Sequence, residues 1–204
     1  HIIDLTKTVE ALDKALPELT KIAASGKKVL FVGTKKQAKD IVRETAEKIG
    51  QPYVTERWIG GMLTNSQTIT QQIKKLKNLE KRMGSGDLEK RYSKLEVQRF
   101  QEEIDVLNSR YGGIKDLMGK PGAVVVVDAA VDANAVREAN VLGVPVFGVV
   151  DTNVNPTDVT YVVPGNDDAI KGLQLLLDYF AQAVAEGAGS VKKADEKPVK
   201  KEEK

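Results

Sequence analysis

Three short apolar runs, each closed by a glycine or an aspartate and the first two followed by a helical pattern, constrain this chain more than any other feature. Val29-Leu30-Phe31-Val32 stops at Gly33, Ala123–Val127 stops at Asp128, and Val146-Phe147-Gly148-Val149-Val150 stops at Asp151. The runs are continuous, without alternating polar residues, which marks strands buried on both faces. Between them lie segments with apolar residues at helical spacing: Ile41, Val42, Ala46 and Ile49 after the first run, and Ala133, Val136, Ala139 and Leu142 after the second. Such alternation predicts an α/β fold with a mostly parallel sheet and helices on both sides, a three-layer domain. At the start, Ile2–Leu5 is expected as a strand and Thr6 as the cap of a helix through Val9, Leu12, Leu16, Leu19 and Ile22, broken or kinked at Pro17. Thr34 is expected to open the second helix. Thr160–Val163 is expected as a last strand, and Asp167 as the cap of a long helix through Ile170, Leu173, Leu177, Phe180 and Val184.

Residues 62–118 break the alternation. They hold no strand-like run, and two heptad seams run through them. Ile69, Ile73, Leu76, Glu80 and Met83 form one; Val97, Phe100, Ile104, Leu107, Tyr111, Ile114 and Met118 form the other, with Gly84-Ser85-Gly86-Asp87 as a turn between. Ser93-Lys94-Leu95-Glu96 has the capping-box pattern that starts a helix. An inserted antiparallel helical hairpin of coiled-coil type follows, within a discontinuous α/β domain formed by 1–61 and 119–187. Residues 188–204 alternate lysine with acid and bury too little to order, so a flexible charged tail is expected.

Chemistry is limited by what is missing. There is no cysteine and the only histidine is His1, so disulfides, thiolate sites and a Ser-His-Asp triad within the fold are excluded. No stretch reaches the roughly 20 apolar residues of a membrane span. The chain starts without Met, and we expect sequence upstream of His1. Net charge is +2, unevenly spread: residues 1–63 and 64–118 each carry 11 basic and 8 acidic side chains, whereas 119–190 carry 3 and 9. A basic first half suits a polyanionic partner.

Gly33-Thr34-Lys35-Lys36 follows a buried strand, where an α/β fold cradles phosphate on free N–H groups. It lacks both glycine-rich nucleotide signatures, so a nucleic-acid backbone suits Lys35 and Lys36 better than a bound nucleotide; a plain tight turn is the alternative. Asp128 and Asp151 end strands, with Asp132 and Asp158 nearby, which leaves open a metal or acid–base role against ordinary loop capping. Arg57-Trp58-Ile59-Gly60-Gly61 puts the only tryptophan in a loop before the insertion, placed to stack on a base or to plug the insertion onto the core. Lys74, Lys75, Lys77, Lys81 and Arg82 lie off the apolar seam and face outward, as a phosphate-binding or merely solvated face.

Taken together, Phe31-Val32-Gly33-Thr34-Lys35-Lys36-Gln37-Ala38, the Arg57-Trp58 to Thr64-Asn65 segment, Gly112-Gly113-Ile114-Lys115-Asp116, Val144-Pro145-Val146-Phe147 through Asp151-Thr152-Asn153, and Val163-Pro164-Gly165-Asn166-Asp167-Asp168-Ala169 resemble ribosomal protein S-two, a family of the bacterial small ribosomal subunit. The resemblance runs in unbroken order from His1 to about Ala185. It implies a flavodoxin-like domain with a projecting helical hairpin and no catalytic, cofactor or metal site. The implied partners are small-subunit ribosomal RNA, neighbouring ribosomal proteins and, in many bacteria, ribosomal protein S-one, with no membrane and no small-molecule substrate; the implied place is the cytoplasmic ribosome. Family members carry a further N-terminal segment ahead of His1-Ile2-Ile3-Asp4-Leu5, whose contacts are not assigned to this chain. The rival expectation is a nucleotide- or metal-dependent α/β enzyme using Gly33–Lys36 and the strand-end aspartates.

Overall fold

A computed structural model describes residues 3–151 and 156–195. Its centre is a five-stranded sheet of β1 (Val29–Val32), β2 (Tyr53–Val54), β3 (Ala123–Val126), β4 (Val146–Val150) and β5 (Tyr161–Pro164), in the order β2-β1-β3-β4-β5. Every pairing is parallel, with Leu30 beside Val124 and Val124 beside Val146. All residues of β1, β3 and β4 are buried, which is why their sequences are continuously apolar. This is the flavodoxin-like strand order, whose direction reverses between β1 and β3.

Alternate residues feed two cores, because strand side chains alternate in direction. Val29, Phe31, Val125 and Phe147 pack with helix α1 (Leu5–Ala24), helix α2 (Lys39–Lys48) and helix α7 (Ile170–Asp195). Leu30, Val32, Val124 and Val126 pack with helix α6 (Ala133–Val141). That second core continues through Trp58, Met62 and Leu63 into helix α3 (Ser66–Gly84) and helix α5 (Lys94–Tyr111), which pack together through Leu76, Leu79, Ile104 and Leu107. A short helix α4 (Asp87–Arg91) lies between them.

Several local expectations change. No strand begins at Ile3: Asp4, not Thr6, caps α1, its Oδ1 accepting from the Thr6 N–H at 3.0 Å; residues 1 and 2 lie outside the described residues. Pro17 does not break α1, because the stripe Leu12, Ala15, Leu19 and Ala23 is buried, and that packing outweighs one missing hydrogen bond. Helix α2 starts at Lys39, after a turn in which Lys39 N–H donates to the Lys35 carbonyl. The last strand is shifted one residue, to Tyr161–Pro164, and α7 starts at Ile170, not beside Asp167. The edge strand β2, two residues long, carries too little pattern to be seen in advance.

The expected seam residues are buried or half-buried except Met118, which is 94% exposed. The chain leaves the helical path at Gly112-Gly113-Ile114, a tight 3₁₀ turn. Gly113 lies so close to β2 that an added Cβ would sit 2.2 Å from the Tyr53 carbonyl oxygen. The Ser93–Glu96 capping box forms as its sequence requires, with Glu96 accepting from the Ser93 N–H at 2.9 Å. The expected flexible tail is helical as far as Asp195; residues 196–204 lie outside the described residues.

Candidate nucleic-acid interface

The β1–α2 turn is built as an α/β ligand cradle and then filled by its own lysine. Gly33 is tight against α2, an added Cβ lying 2.7 Å from the Val42 side chain. Thr34 donates from both N–H (3.1 Å) and Oγ1 (2.8 Å) to the buried Asp132. Lys35 then turns towards the ends of β3 and β5, its Nζ lying 2.8 Å from Asp167, 2.7 Å from Asp168 and 3.5 Å from Asp128. Its side chain is only 19% exposed. Burial works against the ammonium, but these carboxylates outweigh it and raise its pKa.

Burial likewise opposes ionisation of Asp128, yet N–H groups of Val131 and Ala130, at 3.0 and 2.9 Å, together with Lys35, hold its pKa down. Asp167 goes the other way: burial and the neighbouring Asp128 push it up, and its Oδ2 is buried without a hydrogen-bond partner among the described residues. Asp132 is raised mainly by burial. Asp128, after β3, and Asp132, just ahead of α6, thus fasten loops: Asp128 closes its own turn and faces Lys35, and Asp132 ties the β3–α6 turn to Thr34. Asp158 lies exposed in a 3₁₀ turn, its carbonyl accepting from Asn140 at 2.8 Å.

The tryptophan loop is fastened by a residue the sequence did not single out. Glu138, on α6, accepts five hydrogen bonds: from Trp58 Nε1 (3.0 Å), from the N–H groups of Gly61 (2.8 Å), Leu63 (3.0 Å) and Thr64 (3.2 Å), and from Thr64 Oγ1 (3.1 Å). Burial raises its pKa, but these donors more than reverse that and leave it lowered. Trp58 is 8% exposed, so its ring is the plug between insertion and core, not an open stacking surface. A glutamate in a helix gives no sequence signal of this role, since its partners lie 74 to 80 positions away.

The basic residues divide into paired and unpaired. Lys75 reaches Glu103, Lys77 lies 3.0 Å from Asp116, and Arg82 lies 3.0 Å from Asp87. Lys36, Arg57, Lys74 and Lys81 are exposed and make no ion pair among the described residues. Of the nine candidate residues, these four remain open to a polyanion; Lys35 and Trp58 are spent on holding the fold.

The chain matches the model of the family described as ribosomal protein S2 over residues 1–187. Small ribosomal subunit protein uS2 of Fusobacterium nucleatum subsp. nucleatum is 46% identical over 187 residues, which cover 92% of this chain and 76% of that protein. The protein of the same name from Bacteroides thetaiotaomicron is 49% identical over 187 residues, covering 92% and 67%. That from Actinobacillus pleuropneumoniae serotype 5b is 47% identical over 190 residues, covering 93% and 79%.

Proposed function

The chain belongs to the ribosomal protein S2 family, and from that premise we propose how it is held in the small ribosomal subunit. It is a structural, non-enzymatic constituent of that subunit, associated with its RNA and its proteins in translation. The observation that carries this is identity of 46–49% extending over 92–93% of the chain. The enzyme alternative finds no support: the lysine it would use for phosphate is consumed by three aspartates.

The RNA surface in this reading uses Lys36, Arg57, Lys74 and Lys81 as phosphate contacts, with Lys75, Lys77 and Arg82 exchanging internal carboxylates for phosphate. Residues 1–61 and 119–187 act as one α/β domain, and 62–118 as an inserted antiparallel hairpin offered to the partner. Ribosomal protein S-one is a further neighbour in this reading, on the strength of the family resemblance. Co-sedimentation with small subunits tests it. The wild-type protein is expected in the small-subunit fraction. Neutralising Lys36, Arg57, Lys74 and Lys81 together should flatten the salt dependence of association by about 0.7–0.9 log–log units per lost contact. An unchanged slope would place the RNA surface elsewhere.

A further inference from the structure

The net positive charge of the segment from 64 to 118 is confined to one corner. Residues 81–99 carry six basic and three acidic side chains, whereas the rest of 64–118 carries five of each. Outside the corner, cations meet internal carboxylates: Lys75 with Glu103, Lys77 with Asp116, Lys115 with Glu80. Within it, Asp87 alone serves two arginines, lying 3.0 Å from Arg82 and 2.8 Å from Arg91. Both are held through Nε, and Arg91 is 71% exposed, so its outer guanidinium nitrogens are turned to solvent. Lys81, Lys90, Lys94 and Arg99 are exposed and form no ion pair among the described residues.

An aromatic side chain sits among these charges. Tyr92 is the extended link between α4 and α5, pinned by its N–H donating to the Leu88 carbonyl at 3.0 Å. Its ring meets Phe100 edge-on at 5.1 Å and 74°, with the Arg82 guanidinium 5.8 Å from its centroid. Tyr92 nonetheless remains 38% exposed, with Leu95 beside it in sequence at 60%. The corner rests on Leu88, which is fully buried. An exposed aromatic ring held in one position and flanked by unpaired cations is what an unstacked base and its phosphates require. An A-form duplex offers phosphates but no open base face, so it would use the cations and leave Tyr92 idle.

We propose that this α3–α4–α5 corner binds unpaired ribosomal RNA, a loop, bulge or end, by stacking a base against Tyr92 while Lys90, Arg91 and Lys94 hold the adjoining phosphates. The proposal rests on the ribosomal reading above and adds the surface and the RNA class.

The test uses the full chain, a short oligouridine strand and an RNA duplex of equal length, with small-subunit association followed in parallel. Tyr92→Leu is expected to weaken strand binding about ten-fold, the scale of one base–aromatic stack, and Tyr92→Phe to restore most of it. Replacing Lys90, Arg91 and Lys94 with Gln should flatten the salt dependence by about two log–log units. Preference for the duplex, or unchanged strand affinity and slope in these variants, overturns the proposal. Loss of subunit association by Tyr92→Leu with RNA affinity intact also overturns it, since the corner would then serve an acidic protein neighbour. Variants that keep subunit association while RNA binding is unaltered sink the corner alone; a wild-type protein absent from small subunits sinks the ribosomal reading with it.

Discussion

Glu138 is where one substitution should disturb the molecule most. Its carboxylate gathers five donors, but they differ in what water can replace. The two bonds from Thr64 are exposed, whereas those from Trp58 Nε1 and the N–H groups of Gly61 and Leu63 are partly buried. Glu138→Ala leaves those three donors poorly served, at about 1–1.5 kcal/mol each, so the expected loss is about 3–4 kcal/mol. Glu138→Gln keeps the volume and one acceptor oxygen but turns an amide N–H₂ towards N–H donors, and should lose about half as much. The pKa of Glu138 is lowered in the fold. Its contribution is therefore complete above the ordinary glutamate value of about 4.3 and disappears as pH falls through the folded value below it. Urea unfolding at pH 7 and at progressively lower pH measures both effects, and the single tryptophan reports the loop directly by its emission. The gap between wild type and Glu138→Gln should be widest at neutral pH and shrink in acid. A Glu138→Gln protein within about 0.5 kcal/mol of wild type at pH 7, with unchanged Trp58 emission, would refute the idea that the anion fastens this loop.

Three further outcomes are expected. Lys35→Met strips Asp128, Asp167 and Asp168, two of them almost fully buried, of the one cation paired with them among the described residues, and should cost about 3 kcal/mol in urea unfolding. Lys35 has a raised pKa, so its contribution is fully present at pH 7 and is lost only above the ordinary lysine range; the penalty of the variant shrinks in acid as the stranded carboxylates protonate. Gly113→Ala drives a methyl group into the Tyr53 carbonyl and should destabilise by about 2–3 kcal/mol, seen as a lowered Tm. Phe100 is half-buried against the shared core and Tyr92, so Phe100→Ala should cost about 1.5–2 kcal/mol, less than the 3–5 of a fully buried ring.

What the sequence determined by itself is most of what depends on short-range periodicity. Continuous apolar runs specified strands covered on both faces, and 3–4 spacing specified which residues of α3 and α5 turn inward, down to Leu76, Ile104 and Leu107. The Ser93–Glu96 box fixed the start of α5, because its partners are three residues apart. Even the family was legible, since its motifs are contiguous strings. Tertiary structure alone decided the fate of the charged and aromatic residues. Lys35 looks like a phosphate ligand until chain closure brings Asp167, 132 positions away, to its Nζ. Trp58 looks like a stacking surface until α6 folds Glu138 against its indole. A charge is attracted to whichever opposite charge the fold delivers, and a long side chain reaches it from many local backbone conformations. Pattern along the chain therefore records burial, while the pairing of buried charge is set only when distant segments meet.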